Sequence, residues 1–158
     1  MELRIGQGID IHSFSKDRKL ILGGITIPSD FGLMGHSDAD ALLHSITDAL
    51  LGALSLGDIG KYFPDTDPNN KDLDSKIFLL RAYELILEKG YKIQNIDNTI
   101  LLEKPKLRDH IDTIRENISK ILSLNLDQVS IKATTSEKMG FVGKREGIEV
   151  HSIVLLSK

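Results

Sequence analysis

The sequence of 158 residues contains no cysteine. Disulfides, thiolate metal sites and cysteine nucleophiles are excluded with it. Tryptophan is also missing, and the eight other aromatics leave little material for base-stacking platforms. Charge of one sign does not dominate: 20 Lys and Arg face 23 Asp and Glu, for a net charge of -3. With a pI near 5.9, that balance argues against nucleic acid as a partner. Long apolar runs are absent too. The longest nearly apolar stretch, Ala49 to Leu56, falls far short of the roughly 20 residues that span a bilayer. Met1-Glu2-Leu3-Arg4 lacks the basic-then-apolar layout of a secretion signal, so no membrane partner and a cytoplasmic location are expected. The remaining composition, 41% hydrophobic and 27% charged, is that of one globular domain over residues 1–158.

The first segment alternates. Leu3, Ile5, Ile9 and Ile11 occupy odd positions, while Arg4, Gly6, Gly8, Asp10 and His12 occupy even ones. Period two predicts a strand with the apolar residues buried and the others on a polar face. Lys19 to Pro28 reads as a short hairpin turned at Gly23-Gly24. Apolar residues at threes and fours predict a helix over Ala39 to Leu56, and Ser37 with Asp40 resembles a capping box that starts it at Ser37. Residues 57–71 read as a loop. A second helix is expected from about Asp74 to Lys89, stopped by Gly90, and a third from Arg108 to Leu124. Tyr91–Glu103, Val129–Thr134 and Ile148–Leu156 are strand-like. Four such strands between helices predict an α/β (α+β) two-layer sandwich: a mixed four-stranded sheet, helices on one face, ferredoxin-like.

Several clusters could carry chemistry. Asp10 and His12, two apart on a strand, project from one face about 6.6 Å apart along the chain, and His44 lies on the first long helix. One carboxylate and two imidazoles match a catalytic zinc shell with an open position, although Asp-x-His also suits two solvated residues on an exposed strand. Gly35-His36-Ser37 leads into a helix N-terminus, where an anion is favoured; a plain cap fits equally. Asp58, Asp65 and Asp67 in the long loop could bind hydroxyls or a hard cation, or could simply face water. Thr134-Thr135-Ser136-Glu137 leaves a strand with three hydroxyls and an acid, which suits phosphate and a divalent ion as well as a polar turn. His110 and His151 have no metal-ligand spacing.

Together these residues form a recognisable series. Gly8-Ile9-Asp10-Ile11-His12, His36-Ser37-Asp38-Ala39-Asp40, Leu51-Gly52-Ala53, Gly57-Asp58-Ile59-Gly60, Phe63-Pro64-Asp65-Thr66-Asp67 and Lys132-Ala133-Thr134-Thr135-Ser136-Glu137-Lys138 occur in this order. From Arg4 to the end the chain resembles the 2-C-methyl-D-erythritol 2,4-cyclodiphosphate synthase family of the non-mevalonate isoprenoid pathway. The resemblance implies conversion of 4-diphosphocytidyl-2-C-methyl-D-erythritol 2-phosphate to the cyclic diphosphate and CMP. It implies Zn2+ on Asp10, His12 and His44, a second cation (Mg2+ or Mn2+) at Glu137, and transition-state stabilisation by His36 and Thr135. Substrate binding falls, by the same resemblance, to Asp10, His12, His36, Ser37, Asp58, Gly60 and the Phe63, Pro64, Asp65, Thr66, Asp67 loop. A cytidine pocket falls to Leu102, Lys104, Pro105, Lys106, Leu107 and Arg108 with Ala133, Thr134 and Thr135; Ser136, Glu137, Phe141 and Lys144 complete the set. Lys144 stands where the family often has arginine, and Gln7 where histidine is common.

A closed homotrimer with sites shared between neighbours is also implied. The last strand agrees with it, because Ile148, Val150, Val154 and Leu156 lie on one face while Ile153 and Leu155 make the other partly apolar. One helix layer covers only one face. Two other readings suit the same residues: a metal-dependent phosphohydrolase, and a nucleotide-binding regulatory module without turnover.

Overall fold

The computed structural model describes residues 1–64 and 66–158; Asp65, expected in the substrate loop, lies outside them. In chain order the elements are β1 (Leu3–Ser15), the hairpin β2 (Leu20–Leu22) and β3 (Ile25–Ile27), β4 (Gly32–Leu33), α1 (Ala41–Ala53), α2 (Ile59–Tyr62) and α3 (Ser75–Glu88). They continue with β5 (Lys92–Leu101), α4 (Ile111–Ile121), β6 (Val129–Thr134), α5 (Gly140–Gly143) and β7 (Gly147–Ser157). The main sheet has the order β4-β1-β7-β5-β6. β5 and β6 run parallel, joined through α4, while β7 pairs antiparallel with both β1 and β5.

The two-layer, mixed-sheet expectation holds, with two corrections. The two-residue β4 adds a fifth strand at the β1 edge. The long elements follow the order β-α-α-β-α-β-β, not the β-α-β-β-α-β of a ferredoxin-like unit, because two long helices, α1 and α3, follow β1 with no long strand between them.

β1 carries the largest reversal. Its apolar odd residues point outward: Ile5 is 72% exposed and Ile11 53%, with Leu3 and Ile9 similar. Its even face is the buried one, since Gly6 and Gly8 lie under α1. A Cβ on Gly8 would stand 1.9 Å from the Ser45 carbonyl oxygen, and one on Gly6 1.9 Å from that of Ala49. Only glycine lets the two backbones approach this closely. The helix then covers the sheet with Leu42, Leu43, Ile46 and Leu50, which pack with Leu79 and Ile86 of α3, Ile96 and Ile100 of β5, and Val150 and Val154 of β7. A buried polar chain crosses the same contact. The Ser45 hydroxyl lies 2.6 Å from that of Ser152, which donates to Asn98 at 2.6 Å, whose amide donates to the Ser130 carbonyl at 2.9 Å. Satisfied groups of this kind fix one helix position over the sheet where apolar contact alone would tolerate sliding.

α1 starts later than expected. Its N-cap is Asp40, whose carboxylate accepts the Leu43 N–H at 3.0 Å; the Ser37 hydroxyl accepts the Ala39 N–H at 3.2 Å, ahead of the helix. Asp40 also accepts the N–H groups of Gly23 at 2.9 Å and Gly24 at 2.6 Å, the left-handed residues of the expected hairpin turn. Three donors on one fully buried carboxylate tie hairpin to helix. The 57–71 segment is not all loop, as it forms α2 and a 3-10 turn at Pro68–Asn70. The third helix is shorter than expected, and Arg108–His110 forms a 3-10 turn before α4.

Burial pushes the Asp40 carboxyl up to about 6, against the three N–H bonds that pull it down. Its folded value lies above the ordinary aspartate value of about 3.9, so the native state keeps the proton longer. Asp40 therefore contributes less to stability as pH rises from about 4 to about 6, and changes little above that. Asn has no proton to lose. Urea unfolding of wild type and Asp40→Asn should give a difference, wild type minus variant, that falls through this window and then levels. A difference that grows with pH contradicts the assignment.

Candidate active site

Two elements bring one cluster together. Asp10 and His12 rise from the even face of β1 beyond the glycines, and His44 comes down from the first turns of α1. Asp10 Oδ2 lies 2.8 Å from His12 Nε2 and 3.2 Å from His44 Nδ1, and the two ring nitrogens are 3.3 Å apart. One ligand atom from each residue lies within 4.8 Å of the others. Burial raises the Asp10 carboxyl, but hydrogen bonds from His12 and His44 outweigh it and hold Asp10 below the usual carboxylate range. Burial likewise lowers His12, and the Asp10 carboxylate overcomes it and leaves His12 raised.

The donor set suits a divalent cation. His12 Nδ1 is 2.6 Å from the Met34 carbonyl and keeps its proton there; Nε2, which faces Asp10, is the nitrogen that would give up its proton to a cation. His44 presents Nδ1 to the cluster and turns Nε2 toward hydroxyls, 2.7 Å from Ser75 and 3.1 Å from Ser37. Two imidazoles and a carboxylate leave a position open, the pattern of a catalytic shell.

The cluster opens into a cavity of about 310 Å³. His36, Ser37, Gly60 and Phe63 line it, as expected, and so do Asp48, Asn70 and Phe78, which carried no expectation. His36 Nε2 is buried and without a hydrogen-bond partner among the described residues, an unpaired polar atom of the kind that marks a ligand site. Asp48 accepts the Ile59 N–H at 2.8 Å and so anchors α2 against α1. Asp58 and Asp67 serve as caps: Asp58 accepts from Lys61 N at 3.1 Å, and Asp67 from Asn69 N at 2.9 Å. Neither these two nor Pro64 and Thr66 line the cavity.

A second cavity, of about 290 Å³, lies between the β5–α4 connection and the end of β6. Leu102, Pro105, Lys106, Leu107, Arg108, Ala133, Thr134 and Thr135 line it, the grouping expected for a cytidine pocket. Lys104 instead faces a neighbouring groove with Phe31 and Arg145. Thr135 donates to Glu137 at 3.2 Å. Glu137 and Lys138 are both left-handed, and Glu103 holds this turn by accepting the N–H groups of Ser136 at 3.1 Å and Lys138 at 3.3 Å. Strained backbone held by outside contacts is characteristic of functional loops. Phe141 on α5 and Lys144 at its end line neither cavity. His110 precedes α4, and His151 pairs with Glu149 at 2.7 Å; neither joins the metal cluster.

The close crossing of α1 over β1 sets the height of His44 above Asp10 and His12. Gly8→Ala should push α1 outward at a cost of about 3 kcal/mol. It should also weaken zinc binding, although no ligand is altered. Isothermal titration with zinc checks this; wild-type affinity in the variant contradicts the geometric account.

Known proteins share this arrangement. A model of the YgbB family matches residues 3–157. The chain is 54% identical over 155 residues to a 2-C-methyl-D-erythritol 2,4-cyclodiphosphate synthase from Bacillus cytotoxicus, covering 98% of each chain. It superposes with a TM-score of 0.94 and 44% identity on the bifunctional IspDF from Campylobacter jejuni, matching 98% of itself and 42% of that longer chain. A 2C-methyl-D-erythritol-2,4-cyclodiphosphate synthase in its CDP-bound form superposes with a TM-score of 0.90 at 38% identity, over 98% of this chain and 100% of that one. The chain belongs to the YgbB family, that of the 2-C-methyl-D-erythritol 2,4-cyclodiphosphate synthases.

Proposed function

We propose that this chain converts 4-diphosphocytidyl-2-C-methyl-D-erythritol 2-phosphate into 2-C-methyl-D-erythritol 2,4-cyclodiphosphate and CMP. The observation that carries the reading is the convergence of Asp10, His12 and His44 on one point beside the unpaired His36 nitrogen, in a chain 54% identical to named synthases. An oxygen of the substrate's 2-phosphate forms the new bond to the β-phosphorus. The bond from that phosphorus to the oxygen bridging it to the α-phosphorus breaks, and CMP leaves with that oxygen and its electron pair. Water is not consumed. Such transfers depend on positioning and charge neutralisation more than on a protein nucleophile.

Asp10, His12 and His44 are the residues that would hold zinc, and Glu137 a magnesium or manganese ion. Zinc bound there supplies Lewis-acid neutralisation of a phosphoryl oxygen. His36 offers its free ring nitrogen to the phosphoryl group in flight, and Ser37 its hydroxyl. Thr135 meets charge from the opposite side once its hydroxyl turns from Glu137. Leu102, Lys106, Leu107 and Arg108 with Ala133 to Thr135 receive the cytidine, and Gly60, Phe63 and their loop the methylerythritol part. A cytoplasmic setting belongs to this reading. Incubation with the diphosphocytidyl substrate, followed by phosphorus NMR, should give the cyclic diphosphate and one CMP per turnover with no inorganic phosphate. Stoichiometric phosphate would mean that water attacks, and would make the protein a hydrolase.

The active unit in this reading is a homotrimer. Leu3, Ile5, Ile9 and Ile11 of β1 and Ile153 of β7 are all exposed on the outer sheet face, a continuous apolar surface of the kind that marks association. The two cavities share no lining residue within one chain, which supports a site built from the cluster of one subunit and the pocket of the next. A head-to-tail contact of this kind closes into a ring. Reassembling His44→Ala chains with chains defective in the Leu102 to Arg108 pocket should restore about 25% of wild-type activity, since three-quarters of random rings are mixed and each has one intact site of three. No recovery in a verified mixed trimer contradicts shared sites.

A further inference from the structure

The far side of His44 is built as carefully as the side that faces the cluster. Nδ1 can offer a lone pair to a cation only when the ring proton sits on Nε2. Nε2 has Ser75 Oγ at 2.7 Å. Ser75 is fully buried and is the first residue of α3, but its hydroxyl does not cap that helix; Asp74 does, accepting from Lys76. The Ser75 hydroxyl instead donates to the Asp38 carboxylate, a very short contact. With the hydroxyl proton given to Asp38, the Ser75 oxygen has only a lone pair left for His44. The direction of the whole chain is then set: His44 Nε2–H to Ser75, Ser75 O–H to Asp38. Asp38 is itself held, by the Ser75 N–H at 3.1 Å and the Asp40 N–H at 3.1 Å.

We infer that Asp38 and Ser75 are positioning residues that lock His44 in its metal-binding tautomer and raise the basicity of its Nδ1. The inference rests on the proposed metal role of His44. Ser37, also 3.1 Å from Nε2, is thereby released to turn toward substrate while Ser75 keeps the ring proton. Asp38→Asn takes the charge off the end of the chain: the Oδ1 that accepts from both Ser75 and Asp40 becomes a neutral amide oxygen, a weaker acceptor, so the pull on the His44 Nε2 proton falls and Nδ1 loses basicity.

The test is the zinc dissociation constant, by competition with a chromogenic chelator, for wild type, Ser75→Ala and Asp38→Asn, with thermal unfolding of the metal-free proteins alongside. Loss of such outer partners typically weakens metal binding about 10- to 100-fold, and both variants should fall in that range. Asp38→Asn keeps the hydroxyl and the side-chain volume, so its loss of affinity reads the charge at the end of the chain and not packing. In the zinc-loaded proteins the hydrogen-bonded Nε2–H proton of His44 should be visible by NMR in wild type and shifted or lost in Ser75→Ala. Zinc binding within about threefold of wild type in both variants overturns the inference. The measurement needs no turnover, so a wild-type enzyme that binds zinc but forms no cyclic product would sink the proposed reaction and leave this inference standing.

Discussion

Two backbones touch where α1 crosses β1, and the rest of the molecule is arranged around that contact. Glycines at 6 and 8 remove the side chains that would hold helix and strand apart. Tetrahedral carbons in their place would overlap carbonyl oxygens, so no rotamer choice relieves the clash. The helix descends far enough for His44, four residues into it by number from Asp40, to meet Asp10 and His12 two and four positions beyond Gly8. The same contact leaves no room for the isoleucines of β1 on the inside. They face outward and leave apolar side chains exposed on the outer face of the sheet.

Electrostatics follow from this geometry. Asp10 is partly buried and stays ionised because two imidazoles donate to it. His12 and His44 each have one nitrogen turned to the cluster and the other spent on a backbone carbonyl or on hydroxyls. The outer partners hold a ring proton on the far side of each imidazole, so a cation would displace the protons shared with Asp10 and meet three converging ligand atoms. Asp40 does comparable work for the scaffold, since its carboxylate gathers donors from both the hairpin and α1. Asp48 and Glu103 extend the pattern to the loops, each holding by backbone N–H groups a segment that borders a cavity.

Much of this was legible in the sequence. Periodicity located the hairpin, the three long helices and the four long strands, because each of these shows hydrophobic spacing or glycine punctuation over enough residues. Asp10, His12 and His44 were recognisable from parity on a strand and from their motifs. What periodicity could not tell was which face of β1 is inward. Alternation says only which residues share a face, and glycine contributes nothing to hydropathy although its absence of a side chain decides the packing. The helix start was misplaced at Ser37 because a capping pattern does not reveal that Asp40 has two further donors in the hairpin. Asp58 and Asp67 also cap short helices, a role that a pattern of carboxylates in a loop does not reveal. Ser75 and Asp38 lie 37 residues apart, and no local pattern links them.

The central claim is that β1 and α1 together form a preassembled three-ligand cation site. Crystals grown with zinc, with diffraction recorded on both sides of the zinc absorption edge, address it directly. A single strong anomalous peak per subunit is predicted, bonded to an Asp10 carboxylate oxygen, His12 Nε2 and His44 Nδ1 at about 2.0–2.2 Å, with α1 undisplaced over Gly6 and Gly8. A peak on other residues, or none at saturating zinc, would contradict the account.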